Sequence, residues 1–116
     1  MKPSALVIVT GDPRASATPA EAVRIAAGVG TWKKADIHLY LRGPAVLALS
    51  EFVDELVDED NFSRYLPIVA EFGRPVYVQK GAPLLADLGE SPLKFEEIDD
   101  AQLARLAADC RYLLHF

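Results

Sequence analysis

Residues 5–10, Ala5-Leu6-Val7-Ile8-Val9-Thr10, form a continuous apolar run rich in β-branched side chains. A strand with one wet face alternates apolar with polar residues. A strand that admits no polar residue over five positions is covered on both faces, as in the middle of a parallel sheet. Gly11-Asp12-Pro13 breaks the run, and Thr18-Pro19-Ala20-Glu21 then carries the marks of a helix start. Thr18 can cap a free N–H, Pro19 suits the first helical position, and Glu21 completes a capping box. Ala22, Ile25, Ala26 and Val29 follow at i, i+3, i+4 and i+7, an apolar stripe that Gly28 and Gly30 bring to an end.

The same strand–helix rhythm continues outward from this first unit. Asp36-Ile37-His38-Leu39-Tyr40-Leu41 reads as a second strand, with Ile37, Leu39 and Leu41 on one face and His38 and Tyr40 on the other. Gly43-Pro44 opens a helix expected to carry Val46, Leu49, Phe52, Val53 and Leu56 on one side. Asp60 is the expected cap of the next helix, whose stripe is Phe62, Tyr65, Leu66 and Val69. Pro67 inside that stretch predicts a kink or a two-part helix. Val76-Tyr77-Val78-Gln79 is a third strand, and Lys80-Gly81-Ala82-Pro83 leads into a short helix that Gly89 ends. Leu93 to Ile98 reads as a fourth strand whose alternating charges mark an edge. Asp99 and Asp100 offer caps for a last helix bearing Leu103, Leu106, Ala107 and Cys110, and Arg111 to Phe116 reads as a terminal strand. Strands that alternate with helices indicate an α/β fold built on a parallel sheet of five strands, covered on both faces.

Composition agrees with one such domain over residues 1–116. The chain is 51% hydrophobic and 25% charged, a globular balance. A chain of this length buries about two-thirds of the surface its unfolded form exposes, enough for a core without staples. Seventeen acidic and twelve basic side chains leave a net charge of −5, which repels phosphate backbones and argues against nucleic acid as a partner. Much of the excess lies between Glu51 and Asp60, a run that reads as a solvated face. Met1-Lys2-Pro3 leads into an apolar run too short for a signal-peptide core or a membrane span, so no membrane association is expected. Cys110 is the single cysteine, which excludes an internal disulfide and a multi-cysteine metal site and suits the reducing cytoplasm.

Ligands of open α/β sheets bind outside the carboxyl ends of the strands. Three loops therefore form the candidate cleft: Thr10-Gly11-Asp12, Arg42-Gly43 and Gln79-Lys80-Gly81. Each precedes a helix start, where free N–H groups favour anions, and Arg42 and Lys80 add positive charge locally. A small anionic ligand is the class this cleft would take. The first loop has no Gly-Lys-Ser/Thr and no Gly-x-Gly-x-x-Gly, so neither a P-loop nor a dinucleotide site is present. His38 and His115 lack the spacing of a zinc motif, and no metal or cofactor is expected. Asp12 reads as a turn residue. Cys110 falls on the sheet-facing stripe at a helix C-terminus, whose dipole disfavours a thiolate, so it reads as a packing residue.

Thr10-Gly11-Asp12-Pro13 after the opening strand, followed by Glu21-Ala22-Val23-Arg24-Ile25-Ala26-Ala27-Gly28, resembles the start of DsrE/DsrF-like proteins. Asp36 to Gly43, Gly73 to Gly81 and Cys110 to Phe116 are similar in order and spacing to the rest of that family. The resemblance spans nearly the whole chain and implies a three-layer α/β/α domain with a mainly parallel sheet. Several family members act in sulfur relay and hold a persulfide on a cysteine just after the middle strand. The matching position here is Gln79, or Lys80 one residue on, and an amide carries no sulfane sulfur. The resemblance thus implies a non-catalytic member, assembled as a homo-oligomer or with related DsrE-like subunits. The alternatives are an anion-binding module at the cleft and, less favoured, a sulfur carrier through Cys110.

Overall fold

The computed structural model describes residues 3–32, 35–91 and 93–116, so Met1 and Lys2 lie outside the described residues. Five strands, β1 (Ser4–Val9), β2 (Asp36–Leu41), β3 (Val76–Gln79), β4 (Phe95–Ile98) and β5 (Tyr112–His115), form one sheet in the order β4-β3-β2-β1-β5. All four pairings are parallel. The helices are α1 (Thr18–Thr31), α2 (Glu59–Ala70) and α3 (Asp100–Asp109), with 3-10 segments at Gly43–Leu49 and Pro83–Asp87. No described helix is long and apolar enough to cross a membrane.

The strand order assigns the layers. From β1 to β4 the chain steps in one direction, so right-handed crossovers put α1, α2 and both 3-10 segments on one face. The return from β4 to β5 runs the other way and puts α3 on the opposite face. The side chains agree. Val7, Val9, Leu39, Leu41, Val76 and Val78 pack with Val23 and Ala26 of α1 and with Phe62, Leu66 and Val69 of α2. Leu6, Tyr40 and Ile98 form the second core, against Leu103, Leu106, Ala107 and Cys110. The continuous apolar reading of β1 therefore holds: Leu6 and Val7 are both fully buried, on opposite faces.

Several local expectations are corrected. Thr18 and Glu21 form no capping box; Ala17 is the N-cap, Ser16 Oγ takes the Thr18 N–H at 3.1 Å, and the Glu21 carboxylate pairs with Arg24. Gly28 and Gly30 do not end α1, which runs to Thr31. Gly30 has a packing reason instead, since a Cβ there would collide with the Phe72 ring. The helix expected after Gly43 is a 3-10 segment that stops at Leu49. It buries Ala45 through Leu49 in succession, which no one-sided α-helix could do, and it leaves Phe52 76% exposed. Helix α2 begins at Glu59, with Asp58 as its N-cap in the left-handed region, so Asp60 lies in the first turn and favours the helix dipole. Pro67 does not divide α2: its ring sits on the exposed side, and the buried stripe Phe62, Leu66, Val69 stays unbroken.

Candidate functional site

The carboxyl ends of β1, β2 and β3 present the expected loops, and the Thr10, Asp12, Arg42 and Gln79 side chains in them are engaged. At the end of β1, the Thr10 N–H donates to the Phe116 carbonyl at 2.9 Å, and Thr10 Oγ1 lies 3.1 Å from His115 Nε2. Gly11 is held close to Pro19: a Cβ there would sit 3.3 Å from the Pro19 ring. Asp12 is a turn residue, as expected. Its carboxylate accepts the Arg14 N–H and the Arg14 guanidinium at 2.9–3.0 Å, and its carbonyl accepts the N–H groups of Ala15 and Ser16. The Arg14 side-chain bond holds the Asp12 carboxyl below the usual carboxylate value.

Arg42 follows β2, and its N–H extends the ladder to the Val9 carbonyl. Its guanidinium donates to Tyr40 Oη at 3.1 Å and to Asp100 Oδ1 at 2.9 Å, and the Asp100 bond is the main reason its pKa rises. Asp100 lies in the first turn of α3, which Asp99 caps with a full capping box through Gln102. Arg42 therefore joins the sheet to the returning helix. Gly43 has a φ of +59°, and its N–H donates to Gln79 Oε1 at 2.9 Å. Gln79 thus ties the end of β3 to the start of the 3-10 segment. Lys80 is exposed, with its N–H on the Ile98 carbonyl.

The structure brings together Gln79 with Gly43 and Arg42 with Asp100, and the Arg42 N–H holds the strand that leads to Thr10. Among the described residues no hydrogen bond or ion pair joins Lys80 to Arg42. A cavity of about 230 Å³ lies away from these loops, among Leu49, Phe62, Leu66 and Leu93, and a wider one of about 380 Å³ is lined by Arg14, Leu47, Phe52 and Leu84. Tyr40, Asp100 and His115 were not expected to take part. A signal existed for Tyr40, which stands two residues before Arg42 and so shares its face of the strand. None existed for Asp100, 58 residues away along the chain, nor for His115, 105 residues from Thr10.

Cys110 is the C-cap of α3, half-buried against the second core. Burial, then the Asp109 charge, pushes its thiol pKa up, with Arg74 opposing. The neighbouring Arg111 N–H donates to Ser4 at the start of β1. Cys110 therefore sits at the amino end of the sheet, and Gln79 at the carboxyl end.

A five-stranded parallel sheet in this order, with one helix returning across its second face, defines a small three-layer α/β domain of DsrE-like fold. The chain is similar to the crystal structure of the YchN protein from E. coli, with a TM-score of 0.77, 21% identity and coverage of 100% of both chains. At this identity the likeness is one of fold. No family model matches the chain, and no curated protein matches it.

Proposed function

We propose that this protein is a non-catalytic DsrE-like subunit or accessory factor that works within an oligomer and is linked to sulfur metabolism. The observation that carries the reading is Gln79. It stands where the family resemblance puts the persulfide cysteine, it has no nucleophilic atom, and its amide oxygen holds the Gly43 N–H at 2.9 Å. The same commitments weigh against an anion site: the Arg42 guanidinium is paired with Asp100, and the N–H that opens the 3-10 segment is taken. Cys110 is an unsuitable substitute carrier, because it lies at the other end of the sheet and burial disfavours its thiolate.

The test is incubation of native protein with a persulfide donor, followed by intact-mass analysis. The expected result is no added sulfur on the folded chain, with mass gained at Cys110 only after unfolding. Sulfur loaded on the native protein would overturn the non-catalytic reading. Light scattering that gives a strict monomer at every concentration, with no related subunit binding it, would overturn the oligomeric one.

A further inference from the structure

Resting on the oligomeric reading above, we propose that a second copy of this chain pairs antiparallel with β5 across a two-fold axis perpendicular to the sheet, making a continuous ten-stranded sheet.

Strand β5 is the last of the sheet, and among the described residues no strand pairs with its outer side. The Phe116 N–H donates to Ile8, and the Phe116 carbonyl accepts from Thr10, so the Phe116 backbone faces β1. Backbone direction alternates along a strand, so Leu114 also faces β1, while the N–H and C=O groups of Leu113 and His115 point to the open edge. The side chains there are apolar and uncovered: Tyr112 is 48%, Leu113 56% and Leu114 37% exposed. An unpaired edge of this kind is a template for another strand.

Self-complementarity selects a second copy as the occupant. Two identical edges meet across a dyad only when antiparallel, and the dyad keeps each sheet face on its own side. Opposed residues must then share a face, which allows a register centred on Leu114. Leu114 meets Leu114 of the second copy, Tyr112 meets its Phe116, and Leu113 meets its His115. The last pairing joins residues whose backbone groups both point outward, so each Leu113–His115 pair exchanges two hydrogen bonds. Charge points the same way. The net charge of −5 makes two copies repel over most of their surface, yet residues 111–116 contain no acid. Pairing of β5 with the β4 edge is disfavoured by the exposed Glu96 and Glu97, so the contact closes as a dimer instead of running on as a fibre. One four-residue strand per copy covers less than the roughly 800 Å² per partner of a standard interface. The contact by itself is therefore weak and concentration-dependent.

The test places a cysteine at the dyad. In a Cys110→Ser background, Leu114→Cys should give a covalent dimer under mild oxidation, because Cα atoms of a non-hydrogen-bonded antiparallel pair lie about 4.5 Å apart, within disulfide reach. Glu97→Cys on β4, in the same background, should not cross-link. Circular dichroism melts check that each variant folds. Leu113→Arg, at an exposed position, should leave the melt intact in dilute protein and abolish the dimer by light scattering. An oligomer that survives Leu113→Arg and does not cross-link through Leu114→Cys would sink the edge contact and leave the oligomeric reading standing. Equal cross-linking at both edges would mean random collision and would also sink it. A strict monomer at every concentration would remove both readings.

Discussion

The two edges of this sheet are four residues each, and they are built in opposite ways. In β4, Phe95 and Ile98 turn into the two cores while Glu96 and Glu97 stand in water, with exposed Lys94 just before them. In β5 all four side chains are exposed, and three of them are large and apolar. Charge on an edge strand is the usual guard against pairing with another chain. One edge is therefore finished for solvent and the other is not. Helix α3 joins the two, leaving β4 under its capping box and delivering the chain to β5, yet none of its own side chains is fully buried. The second face of the sheet thins in the same direction as its edge loses protection.

The largest effect should come from removing the difference. With Glu96→Val and Glu97→Val together, the β4 edge becomes an apolar strand like β5. A chain with two unguarded edges has a heterologous contact that does not close, so sedimentation or light scattering should show mass growing with concentration. An unchanged mass would mean that the two carboxylates are not what keeps β4 free.

A pair of leucines sharpens the comparison on one face. Leu6 of β1 and Leu113 of β5 are partners in register, yet Leu6 is fully buried beneath α3 and Leu113 is 56% exposed. Leu6→Ala should cost about 2–5 kcal/mol, the range for emptying a packed leucine site. Leu113→Ala should cost no more than about 0.5 kcal/mol in dilute protein, as surface substitutions do. Urea unfolding at two protein concentrations checks both. If Leu113→Ala matches Leu6→Ala even at high dilution, the β5 edge is covered within a single chain and the contrast fails.

Much of this architecture was legible because β1 reports its environment directly: a run without polar residues has to lie between two layers. The limits of β2 and β3 and the edge character of β4 followed from side-chain type in the same way. The segment after Gly43 misled because Val46 and Leu49 sit three apart, as on an α-helix. What decides its form is that every side chain from Ala45 to Leu49 is buried, and burial is a property of the finished fold. The site was legible by halves for the same reason. Gln79, Arg42 and Gly43 belong to strand ends, which sequence locates. Asp100 reaches Arg42 only because α3 crosses back over the sheet, and that depends on a strand order no local pattern contains.

The smallest effect comes from the strand between the edges, and it separates the open face from the open edge. His38 of β2 stacks on Tyr77 with ring centroids 6.4 Å apart. Arg74 lies 3.4 Å from its Nε2, a bond that needs the ring neutral, and Nδ1 is buried with no partner among the described residues. Burial first, then the Arg74 charge, lowers the His38 pKa from 6.5, with Asp36 opposing. The sign follows from the proton count. The unfolded chain takes up this proton at a higher pH than the folded one, so the neutral ring's contribution is complete above the unfolded value of 6.5 and is lost as pH falls below it, until the lower folded value is reached. Thermal melts between about pH 7.5 and 5.5 should therefore show a falling midpoint that His38→Phe flattens. Strand β1 stands between β2 and the β5 edge, so a second copy on that edge does not cover His38. The pH slope should be the same in Leu113→Arg as in the unaltered protein. A slope that changes with Leu113→Arg would mean the partner reaches across the open face, and the contact would then be broader than an edge.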